Sequence, residues 1–245
     1  TNTKYAQGGI AASIGENDST DLHLQDTITA GAGLCNEETV RILVNEAADR
    51  IADLIKYGIV FDTVNGHIAL AREAAHSVPR ILHIGGDATG ENIEVTLSRR
   101  VRESGMRVLE HCIVTQLILN RDRIEGVKVL DTYTGLVQQF NCRNVILATG
   151  GAGRLFKYTT NSEVATGDGI SLAFNAGVEI TDMEFLQFHP TALRLPGVTP
   201  FLISEAVRGE GAILRNAFHE AFMSNYTPEK ELAPRDVVAR SIVYE

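Results

Sequence analysis

Residues 107–153 read RVLEHCIVTQLILNRDRIEGVKVLDTYTGLVQQFNCRNVILATGGAG. Three runs in this stretch, RVLEHCIVTQLIL, RIEGVKVL and LVQQF, are rich in β-branched and apolar residues. The segments between them, NRDR and DTYTG, have turn chemistry. The spacing predicts an antiparallel meander from Arg107 to Phe140. The following NVILATGG (144–151) reads as a short, buried apolar strand that ends in glycines, where backbone either turns or approaches a ligand closely. A short helix is expected from about Gly167 to Asn175. On the N-terminal side, Asn36 to about Tyr57 reads as an amphipathic helix. Asn36 is its N-cap, Glu37 and Glu38 lie in its first turn, and Gly58 is its stop. Its apolar stripe comprises Val40, Leu43, Val44, Ala47, Ile51 and Leu54. A second helix is expected from about Glu91 to Glu103, closed by Gly105.

Composition narrows the function classes. The chain has 245 residues, 22% charged and 44% hydrophobic, with a net charge of −9. That acidity argues against a broad nucleic-acid surface, which needs clustered Lys and Arg. It leaves room for a small anion held by a few arginines. Cys35, Cys112 and Cys142 form no CxxC and read as reduced thiols of a cytoplasmic protein. No run approaches the roughly 20 apolar residues of a membrane span, and TNTKYAQGG at the N-terminus is not a signal peptide. The chain starts without Met and stops in a helical pattern at Glu245, so both ends read as cut.

Three blocks in the last third, MEFLQFHPT (183–191), SEAVRGEG (204–211) and ELAPRDVVAR (231–240), bring His189, Ser204, Glu205, Arg208 and Arg235 into about fifty residues. Hydrophobic periodicity does not explain these positions. Polar groups among apolar neighbours need partners, and this set suits a small anion. Taken singly, each has a plainer reading. His189 before Pro190 is a structural residue at a strand end, Arg208 pairs with Glu205 or Glu210, and Arg235 pairs with Asp236. The glycine-rich AQGGIAA (6–12) is either a turn or a surface for a flat ligand. Asp168 is a helix N-cap or a ligand contact. In ALAREAAHSVPRILH (69–83), Glu73 with His76 and His83 could suggest a metal, but the spacing is not that of a metal motif, and no metal is expected.

In order and content these blocks resemble the flavoprotein family of succinate dehydrogenase, fumarate reductase and L-aspartate oxidase, and most closely its aspartate-oxidising branch. The resemblance runs from Asn2 to Arg240. It implies an α/β fold with α+β elements: a two-dinucleotide-type, Rossmann-like FAD domain over residues 1–182, carrying the β-meander, and the start of an α+β capping domain over 183–245. The GxGxxG turn that normally opens such a domain is nowhere in the sequence. By resemblance, Asn2, Thr3, Lys4, Tyr5, Ala6, Gln7, Gly8 and Gly9 lie along the flavin and pyrophosphate. Ile113 and Val114 lie at the adenine, and Gly150, Gly151 and Asp168 also contact the cofactor. Succinate dehydrogenases carry a flavin-bonded histidine where Asn2 stands, so a non-covalent FAD is implied. Glu73 would meet the α-ammonium of aspartate, although Ala74 and Ala75 replace two glycines of the related block. His189, Ser204 and Glu205 would bind substrate. Arg235, after Pro234, would stand over the reacting carbon and handle the proton in fumarate reduction.

The implied activity is FAD-dependent oxidation of L-aspartate to iminoaspartate, with oxygen or fumarate as acceptor, feeding quinolinate and NAD synthesis. L-aspartate and fumarate are then the small-molecule ligands and quinolinate synthase a protein partner. The alternatives are a soluble fumarate reductase or succinate dehydrogenase flavoprotein subunit, and an inactive fragment without FAD.

Overall fold

The computed structural model describes residues 1–198 and 200–245, and Ala206 by its backbone alone. In chain order the elements are β1 (Ile10–Ala11), α1 (Thr20–Ala30), α2 (Glu37–Tyr57), β2 (Thr63–Val64), β3 (His67–Ile68), β4 (Leu70–Ala71), β5 (Ile81–Leu82), α3 (Thr89–Glu103), β6 (Cys112–Asn120), β7 (Arg123–Asp131), β8 (Val137–Asn141), α4 (Asp168–Asn175), β9 (Ala192–Leu193), β10 (Phe201–Leu202), α5 (Glu205–Gly209) and α6 (Arg235–Tyr244). They fall into two compact units. One comprises Thr1, Thr3–Arg100 and Gln187–Glu245; the other comprises Asn2 and Val101–Leu186. No described helix is long and apolar enough to cross a membrane.

In the first unit, α2 forms as its sequence dictates. Asn36 Oδ1 accepts the Thr39 N–H at 3.0 Å. Gly58, at φ 101°, ends the helix in the left-handed conformation that glycine adopts without a Cβ penalty. Val40, Val44 and Ile51 are buried, but Leu43 is 64% exposed. The reason is α1, which covers only the side of α2 that presents Val40 and Val44 to Leu24. Helix α1 was not legible in the sequence, because only His23 and Leu24 of its eleven residues are buried. Ser19 nonetheless caps it, accepting the Leu22 N–H at 3.1 Å. The antiparallel sheet β1–β5–β4 supplies Leu82 to a core with Ala12, Ile51, Ile59, Phe61 and Ile84. Each large side chain there contributes about 1.5–3 kcal/mol. A Cβ on Gly9 would run into the Leu82 carbonyl and Ile81, so glycine is what lets the strip before β1 lie against β5. A separate cluster of Phe222, Met223, Ala233 and Val238 fixes the start of α6.

The second unit is built on the expected meander, with order β6–β7–β8 and Ile113 opposite Leu130, Val114 opposite Val129. The turn at DTYTG is an Asx turn: Asp131 Oδ1 accepts the Tyr133 and Thr134 N–H groups, both at 2.9 Å. These bonds hold the Asp131 carboxyl below the usual carboxylate range. Helix α4 packs against β6 through a face that buries Leu172 and Ala173. Gly167, not Asp168, is its N-cap, and Asp168 is the first helical residue. Residues 144–151, expected as a buried strand, form neither helix nor strand among the described residues, and Ile146 is 92% exposed. An apolar run buries itself as a strand only where neighbouring strands pair with it, and the described residues supply none here.

Candidate functional site

The loop that carries Glu73 is tied down by a fully buried arginine. Arg80 is 0% exposed and binds Asp18 with both Nε (3.0 Å) and Nη2 (2.8 Å). Its Nη1 donates to Asp26 Oδ2 at 2.8 Å. The same Asp26 oxygen accepts the Ser77 N–H (2.9 Å) and hydroxyl (2.8 Å), so α1 holds the far end of the loop. Burial opposes ionisation of Asp26, but the Ser77 bonds and the Arg80 charge outweigh it and hold its carboxyl below the usual range. His23 and His76 flank this network, and burial together with the Arg80 charge pushes both imidazoles down. Glu73 Oε1 lies 3.3 Å from His83 Nε2, just beyond β5.

Glu205 organises the arginines. It opens α5, and Arg235, the first residue of α6 after Pro234, donates Nε to Glu205 Oε2 at 2.7 Å. Arg235 Nη1 donates to Gln187 Oε1 at 3.1 Å, which leaves the guanidinium side chain 34% exposed. Arg208 Nη2 stands 3.1 Å from Glu205 Oε1, at ion-pair distance but without hydrogen-bond alignment. Arg208 is 3% exposed, and its Nη1 is anchored on the Glu231 carbonyl at 2.9 Å. One carboxylate therefore faces two guanidinium groups, so the cluster carries a net positive charge. The plainer reading of Arg208 as an ion-pair partner of Glu205 matches this geometry. Arg235 pairs with Glu205, while Asp236 pairs with Arg240 instead.

His189 is prepared as a donor. Its Nδ1 accepts the Thr191 N–H at 3.2 Å, and the Thr191 hydroxyl is directed to the Ile203 carbonyl at 3.1 Å. An accepting Nδ1 puts the proton of the neutral ring on Nε2. Nε2 is buried and has no partner among the described residues. Burial, then the Arg235 and Arg208 charges, push this imidazole down, against the opposing effect of Glu205. The ring is thus a neutral Nε2–H donor awaiting an acceptor.

Two clefts adjoin these groups in the first unit. One, of about 500 Å³, is lined by Gln7, Gly8, Asp62, Glu73, His83 and Ser204 among others. The other, of about 740 Å³, lies between the Arg72–Ser77 loop and residues including Glu205, Arg208 and Pro234. Glu73 lines both. The first fits the implied flat cofactor: among the described residues Gln7 Oε1 is buried without a partner, and Gly8 has nothing within 4 Å of where a Cβ would sit. In the second unit, Gly150 (φ 70°) and Gly151 are equally open. There Asn2 Oδ1 accepts the Ser162 N–H at 2.7 Å, and the Ser162 hydroxyl is buried without a partner among the described residues. In each unit taken by itself, exposed backbone beside orphaned polar atoms is what a flat or phosphorylated ligand would use.

Of the residues singled out in the sequence, the first unit holds Thr3–Gly9, Glu73, His189, Ser204, Glu205 and Arg235. The second holds Asn2, Ile113, Val114, Gly150, Gly151 and Asp168. Sequence reasoning missed the Arg80–Asp18–Asp26 network, and it weighed His83 only as a metal ligand. The signal for the network was an arginine flanked by apolar residues, in VPRILH.

Over residues 1–245 the sequence matches the family model described as FAD binding domain. The L-aspartate oxidase of Synechocystis sp. is 48% identical over 241 residues, which cover 97% of this chain and 43% of that protein. That of Streptomyces coelicolor is 47% identical, covering 98% and 43%. The chain thus spans less than half the length of these relatives. Among solved structures, E. coli quinol fumarate reductase FrdA superposes with a TM-score of 0.93 at 28% identity, covering 100% of this chain and 44% of that one. Mycobacterium smegmatis Sdh1 superposes with a TM-score of 0.81 at 38% identity, covering 98% and 43%. The chain belongs to the FAD binding domain family, within the succinate dehydrogenase, fumarate reductase and L-aspartate oxidase superfamily, and FAD is its expected cofactor.

Proposed function

We propose that this chain is the part of an FAD-dependent L-aspartate oxidase that binds the flavin and grips the substrate. The observation that carries the reading is the Glu73 carboxylate in one cleft with Ser204. A carboxylate there would repel a bare dicarboxylate but suits one that bears an ammonium. Identities of 43–48% to L-aspartate oxidases over nearly the whole chain support the same reading.

In this account residues up to about 182 contribute to the FAD domain, and those from 183 open a capping domain. Thr3–Gly9, with Asn2, Ile113, Val114, Gly150, Gly151 and Asp168, hold the cofactor without a covalent bond. FAD, when bound, supplies the acceptor for the hydride equivalent leaving the aspartate Cα. The protein orients the substrate and supplies the charge. Glu73 takes the ammonium, His189 Nε2–H and the Ser204 hydroxyl donate to carboxylate oxygens, and Arg235 offers its guanidinium. Glu205 fixes that guanidinium through Nε and Gln187 holds Nη1, which leaves Nη2 to face the substrate. Aspartate gives up a hydride from Cα and a proton from nitrogen, leaving iminoaspartate. Oxygen or fumarate accepts the electrons in turn, and the imine passes to quinolinate formation, with quinolinate synthase as the receiving partner.

Glu73→Gln tests the assignment, since it preserves shape and removes charge. Losing the pairing of a partly buried charge should cost on the order of 2–4 kcal/mol. Half-saturating L-aspartate should therefore rise at least tenfold, while half-saturating fumarate should hold or fall as the repulsion of its carboxylates is removed. Equal losses in both reactions would show that Glu73 serves folding or the flavin instead.

A further inference from the structure

The cleft that holds Glu73 also contains a histidine with no assigned task. His83 follows directly on β5, at the edge of the hydrophobic core, with its imidazole about one-fifth exposed. Its Nε2 faces two things at once. On one side is Glu73 Oε1 at 3.3 Å. On the other is the glycine strip, where a Cβ on Gly9 would sit 3.0 Å from the same Nε2. The ring is therefore lodged between backbone that only a glycine leaves open and the carboxylate assigned to the substrate ammonium.

We propose that His83 is the positioning residue for Glu73: its Nε2–H engages one carboxylate oxygen and presents the other to the amino group of the substrate. The proposal rests on the aspartate-oxidase reading above. A carboxylate can only accept, so a ring bonded to it through Nε2 carries the proton there, whether the imidazole is neutral or charged. Without that bond, Glu73 has two equivalent oxygens and a free χ3, and its negative charge loses its fixed direction towards the ammonium. Asp62 and Asp87 line the same cleft, and Asp62 lies close enough to feel His83. Its two oxygens are already occupied by the Gly85 and Gly86 N–H groups at 2.8 and 2.9 Å, so it does not compete for Nε2. The lodging of the ring also explains how one side chain links amino-group recognition to the strip expected beside the flavin. A shift of Gly9 would move His83, and with it Glu73.

The test uses the FAD-loaded protein and two substitutions. His83→Leu removes the donor; His83→Gln keeps an N–H within reach. Loss of a hydrogen bond to a charged group should raise half-saturating L-aspartate about tenfold or more in His83→Leu. Maximal turnover, and half-saturating fumarate, should stay within about threefold. His83→Gln should restore most of the aspartate affinity. Independently of turnover, the ¹⁵N spectrum of the imidazole should show a protonated Nε2 whose resonance moves in Glu73→Gln. Melting temperature and flavin absorbance report whether each variant is folded and loaded. Equal losses for aspartate and fumarate, no rescue by His83→Gln, or an Nε2 resonance indifferent to Glu73→Gln would overturn the positioning role. A loaded, unaltered protein that does not oxidise L-aspartate would overturn the functional reading itself, whereas the imidazole spectrum would still decide the contact.

Discussion

Removing the charge of Asp18 should destabilise the protein far more than removing that of Asp26, although both bind Arg80. Asp18 is 1% exposed on its side chain and gives each of its oxygens to the guanidinium, whereas Asp26 is 14% exposed and uses one oxygen. Asp26→Asn can keep its carbonyl oxygen on Arg80 Nη1, the Ser77 N–H and the Ser77 hydroxyl. It loses only charge, at about 1 kcal/mol. Asp18→Asn turns an NH₂ towards a guanidinium N–H, which leaves two buried donors facing each other. It forfeits a charge-assisted bond as well, for about 3 kcal/mol in all. Arg80→Met strands the Asp18 carboxylate and should cost about 3–5 kcal/mol. Combined with Asp18→Leu it should recover much of that loss, because an apolar pair replaces a buried ion pair at little net cost. Urea unfolding of Arg80→Met, Asp18→Leu and the double variant supplies the cycle. A coupling of at least 2 kcal/mol is expected. Additivity within about 0.5 kcal/mol would refute the network as the anchor of the Arg72–Ser77 loop.

Further outcomes follow from the same geometry. In the FAD-loaded protein Arg235→Lys should keep the flavin but lose about a hundredfold in turnover with aspartate and fumarate alike, because the bidentate fork and its position are lost; near-normal turnover would remove Arg235 from the mechanism. His189→Ala should instead raise half-saturating substrate about tenfold with a smaller effect on maximal rate, and the reverse pattern would contradict its role as a carboxylate donor. His23, His76 and His189 all have imidazoles pushed below the ordinary value of 6.5. The unfolded chain binds protons at these sites that the folded one refuses, so stability is fully present above pH 6.5 and falls as pH drops below it. Urea midpoints measured at about pH 7.5 and 5.5 should show that decline, and equal midpoints would contradict it.

Much of this was legible in the sequence because the signals were local. Asn36 and Gly58 bound α2 by capping chemistry, and the meander announced itself through turn residues between β-rich runs. The substrate cluster was legible only as a set. His189, Arg208 and Arg235 each had a bland reading, and their spacing within three blocks made the difference. What escaped was non-local. Helix α1 has too few buried residues for a periodic signal, and Arg80 reaches Asp18 across 62 positions. The run 144–151 carries the composition of a buried strand, but its burial depends on neighbours that local pattern cannot supply. Leu43 shows the same limit on a smaller scale, since periodicity placed it on the stripe and the width of α1 decided otherwise.

The most direct test of the central claim is anaerobic titration of the FAD-loaded protein, following the visible absorbance of the flavin. The account predicts that L-aspartate bleaches the oxidised flavin one for one, releasing ammonia as the imine hydrolyses, while succinate leaves it oxidised. Bleaching by succinate with none by L-aspartate would contradict the account and assign the chain to the succinate-oxidising branch.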